Sequence, residues 1–424
     1  MATPDAAFRT TLSCEAEFVL LGARLRLEGP RRARWEALLC DCGSARLDWE
    51  QVLALASSHR VMGLLGRHLS ARSWRDVPLF ARHAIQHYFQ TTVVHCAALK
   101  DELADVSHAL ESAGVPVVSF KGPTLALEIY GNAVMRPSAD IDLLVSRRQV
   151  GQAREILRKA GYAPEAELSP DQEQVHLRVD SVFNLSRPVP ASLEPLFPQG
   201  FAVELHWAIT SPCLPFELDF EAVAPRLKTL HLPHVAPEKA TVRAFPAEEL
   251  LLILCVHGAK HLWERLIWLC DIAELVNQTP HLDWHKVMRQ AHERGVLRMT
   301  VLGLSLARDV MGTQLPPEIE RWFTTQPEAL HLATRLRHSL LAHSEAQSWN
   351  GTLTHNLTTD RLLMQAIDTP LHRIGFVWHL ATTPSLTERS TVSLMQELHF
   401  LWWVLRPARV IRKHWLLGKP DKSS

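Results

Sequence analysis

The chain carries no excess of either charge: 45 Lys and Arg residues stand against 45 Asp and Glu. A surface that holds nucleic acid nonspecifically needs a basic excess. The balance therefore argues against a nucleic-acid partner and leaves room only for a local basic groove. No apolar run approaches the roughly 20 residues of a membrane-crossing helix, and the N-terminus lacks the basic-then-apolar pattern of a secretory signal. No membrane partner is expected. The seven cysteines (Cys14, Cys40, Cys42, Cys96, Cys213, Cys255, Cys270) are odd in number and contain no Cys-x-x-Cys spacing. Cys40-Asp41-Cys42 is too cramped and too isolated for a zinc site. Reduced thiols in a cytoplasmic protein are the expectation.

At 424 residues the chain can bury a sizeable core and hold two or three domains. Residues 1–110 carry helical patterning: an amphipathic helix started by Asp48-Trp49, a run from Val61 to Leu69, and a longer one from Phe80 to Leu110. His59 and Arg60 read there as capping or solvated residues, not as ligands. Residues 111–210 alternate strand and helix patterns. Residues 211–245 are rich in Pro and His and form the expected junction, and 246–424 are again helical. Within the middle segment, Gln149–Ala160 reads as a helix ended by Gly161, and Glu173–Leu185 as one or two further strands.

The informative stretch is Val115–Val145. A short apolar run to Phe120 meets Lys121-Gly122-Pro123, a breaker that no helix or central strand tolerates in its middle. Leu125, Ile129 and Tyr130 then recur at helical spacing, and Ala139–Val145 alternates apolar and acidic residues. Residues two apart on a strand share a face, so Asp140 and Asp142 project side by side while Ile141 and Leu143 enter the core. Two carboxylates held together repel, and burial adds to the penalty. A bound divalent cation relieves it, and Mg²⁺ favours such oxygens together with substrate phosphates. An isolated Asp-x-Asp is frequent by chance as a solvated strand end. Here it follows a strand, a glycine turn and a helix start, where backbone amides favour an anion.

Phe120-Lys121-Gly122-Pro123, Tyr130-Gly131, Arg136 and Asp140–Val145 resemble the signature of an uncharacterised bacterial nucleotidyltransferase family, a branch of the DNA polymerase beta-like nucleotidyltransferase superfamily. The wider superfamily has a Gly-Ser or Gly-Gly turn; Lys121-Gly122 departs from it, with the Lys121 charge in place of the usual hydroxyl. The resemblance implies a third acid on a later strand, followed by an apolar residue and His-Trp. Glu204-Leu205-His206-Trp207 fits, in a segment that alternates from Phe201. It also implies an α+β fold, a small mixed-sheet nucleotidyltransferase core flanked by helical regions.

The second informative region is Pro246–Leu275. His257, Lys260, His261, Glu264, Trp268 and Asp271 recur at three or four residues, a polar stripe on an otherwise apolar helix. Three readings compete. The histidines could hold zinc, but no glutamate stands between them as in a metalloprotease. The stripe could be an internal network joining Asp271 and Glu264 to Lys260, Arg265 or the histidines. Or it could face a nucleotide, as the resemblance implies. Near the C-terminus, Leu398–Leu417 mixes Trp and Phe with Arg and Lys. It reads as a terminal helix docked by its aromatic face or lying on a membrane.

The resemblance implies a Mg²⁺-dependent nucleotidyltransferase that moves an NMP from an NTP to an acceptor hydroxyl or phosphate and releases pyrophosphate. Asp140, Asp142 and Glu204 are then its catalytic residues and the ligands of two Mg²⁺ ions. Lys121, Gly122, Arg136, His257, Lys260 and His261 bind the nucleotide. The acceptor is a small molecule, peptide or protein. Two rivals stand beside this: an inert nucleotide-binding or interaction module on the same fold, and an enzyme acting on RNA, which the neutral charge disfavours.

Overall fold

A computed structural model describes residues 12–40, 47–340 and 357–383. Within them the chain forms a helical N-terminal region, a mixed sheet and a second set of helices. The N-terminal helices are α1 (Cys14–Gly22), α2 (Gly29–Cys40), α3 (Trp49–Ser58), α4 (Met62–Ala71) and the 34-residue α5 (Leu79–Ser112). Asp48 caps α3 by accepting from the amides of Glu50 and Gln51, as a short acidic residue before an apolar-periodic stretch should.

The core then runs β1 (Val117–Ser119), α6 (Gly122–Tyr130), β2 (Asp140–Val145), α7 (Val150–Lys159), β3 (Ala163–Pro164), α8 (Pro170–Val179), β4 (Val182–Arg187) and β5 (Phe201–His206). Its sheet has the order β1-β2-β5-β4-β3. Only β2 and β5 are parallel, with Asp142 opposite Glu204 and Leu144 opposite His206. The remaining pairs are antiparallel. The period of two sorts the residues by face. Ile141, Leu143, Val145, Val203 and Leu205 turn into a core shared with Leu99, Leu103 and Leu110 of α5 and Leu157 of α7. The opposite face carries Asp140, Asp142, Glu204 and His206, with Leu144 and Val118 continuing into the second core.

A short helix α9 (Phe220–Val223) and a hairpin-like pair, β6 (Lys228–His231) and β7 (Thr241–Ala244), fill the proline-rich segment. Eight helices follow: α10 (Ala247–Lys260), α11 (Leu266–Gln278), α12 (Trp284–Glu293), α13 (Leu297–Leu306), α14 (Pro317–Thr324), α15 (Pro327–Leu340), α16 (Leu357–Ala366) and α17 (Pro370–Thr382). One apolar core joins Phe18, Trp35 and Leu65 from the N-terminal helices to Leu251, Leu269 and Met299 from the later ones. No helix among the described residues is long and apolar enough to cross a membrane.

Two local expectations differ. Residues 173–179 belong to helix α8, not to a strand. Ser169 and Gln172 form a reciprocal capping box and Pro170 sits in the first turn, so the helix start satisfies its amides locally. The polar stripe lies on two helices, not one. Leu262 and Trp263 take left-handed backbone (φ 48° and 55°). The amide of Trp263 bonds the carbonyl of Gly258, and that of Leu262 bonds Ala259, closing α10 in a Schellman motif without its usual glycine. The Trp263 ring is 1% exposed and lies where a Cβ on Gly258 would be, at 2.4 Å, and on Gly303, at 2.9 Å. Leu398–Leu417 lies outside the described residues.

Candidate active site

The acidic face of β2 and β5 opens on a cavity of about 390 Å³ walled by the turn before α6, by α10 and by the start of α11. Asp140, Asp142, Glu204, Lys121, Gly122, Arg136, His257, Lys260 and His261 all line it, whereas Asp271 of the polar stripe does not. The parallel register does the essential work. It sets Asp142 beside Glu204, and His206 follows Glu204 on the same face.

His206 Nε2 lies 3.1 Å from Glu204 Oε2 and 3.4 Å from Asp142 Oδ1. Asp142, Glu204 and His206 each offer one ligand atom within 4.8 Å of the others. Lys121 reaches from the strand end to place its ammonium 2.5 Å from Asp142 Oδ1. His206 Nε2 makes a hydrogen bond to Glu204 Oε2, whereas the two contacts to Asp142 are charge contacts without hydrogen-bond alignment: its Oδ1 is buried and receives no aligned donor.

The electrostatics divide the two aspartates. Burial resists ionisation of Asp142, but Lys121 and His206 outweigh it and hold this carboxyl well below the usual range. Asp140 lacks such a contact, and burial followed by the charges of Asp142 and Glu204 pushes it up to about 6. The same cluster raises its cations. Burial opposes the charged forms of Lys121 and His206, and the neighbouring carboxylates overcome it.

Gly122 has φ 57°, and a Cβ there would stand 2.8 Å from the Asp140 carbonyl oxygen. The start of α6 can approach β2 this closely only with glycine. Arg136 serves differently from a free phosphate ligand. Its Nε and Nη2 bond both oxygens of the fully buried Asp271 at 2.9–3.1 Å, and Tyr130 donates to the same carboxylate at 2.8 Å. This fork fixes the guanidinium at the cavity edge.

On the opposite wall His257 and His261 sit 4.8 Å apart, each about 5 Å from the Trp268 ring. Burial, then Lys121 and the neighbouring cations, keeps His257 neutral. Lys260 is exposed, and what it is exposed to is the cavity; burial and then Lys121 lower its affinity for a proton. Among the described residues the histidine pair belongs to no cluster of three metal-ligating groups.

Sequence reasoning passed over His206, Arg60 and Arg265 as site residues. His206 stood in the quoted Glu-x-His-Trp run, and its period-two spacing from Glu204 was the available signal. Arg60 and Arg265 line the cavity from α3's end and α11's start. His59 joins them: its carbonyl accepts from the amide of Ile267, and its Nδ1 from that of Leu266, each at 3.3 Å. His59 is a cap of two helices: its amide closes α3 on the carbonyls of Leu55 and Ser57, and its ring receives the start of α11, 207 residues further on.

The sequence matches the family described as uncharacterised nucleotidyltransferase over residues 45–312, more than half of the chain. The chain belongs to that family, and membership supports nucleotidyl transfer with an NTP as substrate. No curated protein and no solved structure matches it.

Proposed function

We propose that the cavity moves an NMP from an NTP to an acceptor hydroxyl or phosphate in a Mg²⁺-dependent reaction that releases pyrophosphate. The observation carrying this is the register of β2 with β5, which gathers Asp140, Asp142 and Glu204 into one cavity beside Lys121 and Lys260. The donor set fits a divalent cation. Asp142 Oδ1 is buried without an aligned donor, and its ion-pair contacts among the described residues are Lys121 and His206. Asp140, Asp142 and Glu204 would hold two Mg²⁺ ions, which supply charge neutralisation and a lowered acceptor pKa.

The chain's own groups do the rest. Gly122 lets the amides at the start of α6 approach the phosphates, and Lys121 and Lys260 offset their charge. Arg136 contributes a fixed positive field, while His257, His261 and Trp268, their rings inclined to one another, offer an aromatic wall for the nucleoside. Glu204, half open to the cavity, accepts the proton of an acceptor hydroxyl as its oxygen bonds to the α-phosphorus and the bond to pyrophosphate breaks. A cytoplasmic setting suits the six described cysteines, all of them free thiols.

A second reading is favoured by one observation. Lys121 and His206 already neutralise Asp142, as they would in an inert nucleotide-binding module. Calorimetric titration of each NTP with Mg²⁺, alongside an analogue blocked between the α and β phosphates, separates the two. Mg²⁺-dependent binding that disappears in Asp140→Ala/Asp142→Ala is the expected result. Binding indifferent to Mg²⁺ and to both substitutions leaves the inert module standing, and absence of binding refutes both.

A further inference from the structure

Five cations line the cavity: Arg60, Lys121, Arg136, Lys260 and Arg265. Two are committed, Lys121 to Asp142 and Arg136 to Asp271. Among the described residues, Arg60 and Arg265 have no ion pair and no side-chain hydrogen bond, although Arg265 lies over the Trp268 ring at 5.5 Å. They are also forced together. His59 binds the amides of Leu266 and Ile267, so the residue after His59 and the residue before Leu266 are brought side by side. Arg60 makes this turn in left-handed backbone, at φ 57°, where a non-glycine residue is strained.

The Arg265 charge acts on both residues of the turn that it meets. Burial and then Arg265 lower the proton affinity of Arg60, with Asp140 only partly offsetting them. Burial and then Arg265 do the same to His59. Glu264 beside Arg265 and Asp140 near Arg60 share the cavity and feel these charges, but among the described residues neither pairs with an arginine, so two like charges held at one wall form a receptor for an anion. Their position relative to the acids gives the anion its role. Arg60 feels Asp140, whereas Lys260 feels Lys121 and Glu204. The arginine pair stands at the junction of α3 and α11, on other segments than Lys121 and Lys260, which leaves it for the second anionic reactant of an in-line displacement.

We propose that Arg60 and Arg265 hold a phosphomonoester group on the acceptor, so that the acceptor of this transferase is a small phosphorylated molecule. Two guanidinium forks match the near-double charge and several oxygens of a phosphomonoester, whereas a carboxylate engages one fork and leaves the second unpaired. This rests on the nucleotidyl-transfer reading, and the test keeps the two apart.

Phenyl phosphate and its carboxylate match, benzoate, are titrated calorimetrically into the full chain, with and without Mg²⁺ and a saturating non-hydrolysable NTP analogue. Phenyl phosphate is expected to bind in both settings and more tightly than benzoate. Arg60→Gln and Arg265→Gln should each weaken it by about tenfold or more, as loss of a charged hydrogen-bond partner does, while NTP affinity barely moves. Arg60→Lys, which keeps the charge and loses the fork, should fall between, and circular dichroism of each variant separates misfolding from lost binding. Displacement of phenyl phosphate by the NTP analogue, or equal weakening of both ligands in the arginine variants, overturns the proposal and gives the pair to the triphosphate. NTP binding without any phenyl phosphate binding overturns it as well. Phosphate binding that depends on the arginines in a protein indifferent to every NTP keeps the phosphomonoester site and removes the transfer reading.

Discussion

Acid should loosen the junction between the N-terminal helices and α11 through one residue, His59. Its Nδ1 accepts the amide of Leu266, and its ring is 6% exposed with Arg265 nearby. Burial first, and Arg265 second, lower its pKa from 6.5 to about 4. In the unfolded chain His59 takes up its proton below about 6.5. In the folded chain it does not do so until about pH 4. Between these values the unfolded state binds more protons, so stability falls as pH falls. The contribution is fully present above 6.5 and is lost as pH drops through about 4. At about 1.36 kcal/mol per pH unit, the interval amounts to about 3 kcal/mol. His59→Asn supplies the control, because an asparagine oxygen can take the Leu266 amide and does not titrate. Urea denaturation of both proteins from pH 7.5 to 4 measures the difference. Wild type should lose about 3 kcal/mol more than the variant over that range. Parallel pH profiles would refute the buried, neutral cap.

Three further outcomes are expected. Asp271→Asn leaves the Arg136 charge buried without its counter-ion, so urea denaturation should show a loss of about 3 kcal/mol or more; a loss under about 1 kcal/mol contradicts the pairing. Gly122→Ala puts a side chain into left-handed backbone and 2.8 Å from the Asp140 carbonyl, and should destabilise by about 2 kcal/mol while weakening Mg²⁺-dependent NTP binding. Gly258→Ala gains about 1 kcal/mol of helix propensity but drives a methyl into the Trp263 ring, so thermal melting should show a net loss, with NTP binding reduced as Lys260 shifts; a stabilised variant would refute the wedge.

What could be read in the chain was what depends on near neighbours. The alternation of Ala139–Val145 assigned Asp140 and Asp142 to one face, and Phe201–Trp207 did the same for Glu204. Asp48 announced α3 by ordinary capping chemistry. A local signal was also missed: Ser169-Pro170 with Gln172 is a helix start, and it outweighed the strand-like look of Glu173–Leu185 up to Val179. The end of α10 could not be read, because a leucine took the left-handed position that glycine normally marks. Arg60 was hidden for a different reason. Its place depends on His59 reaching a helix 207 residues away, and no periodicity encodes such a contact.

The charges explain why three segments of chain meet at one cavity. The sheet alone would bring Asp140, Asp142 and Glu204 together against their repulsion, and burial first, then that repulsion, pushes Asp140 up to about 6 even here. Lys121, paired with Asp142, reduces it from within the core, but the cavity's unpaired cations among the described residues come from outside: Arg60 from the helices before the sheet, Lys260 and Arg265 from the segments after it. His59 fastens the first group to the second by satisfying the start of α11. The same contact that seals two helical regions together brings Arg60 and Arg265 to the wall of the one cavity. A mutation at His59 therefore reaches the site through Arg60 and Arg265 without touching an acid, which makes the N-terminal helices part of the substrate cavity.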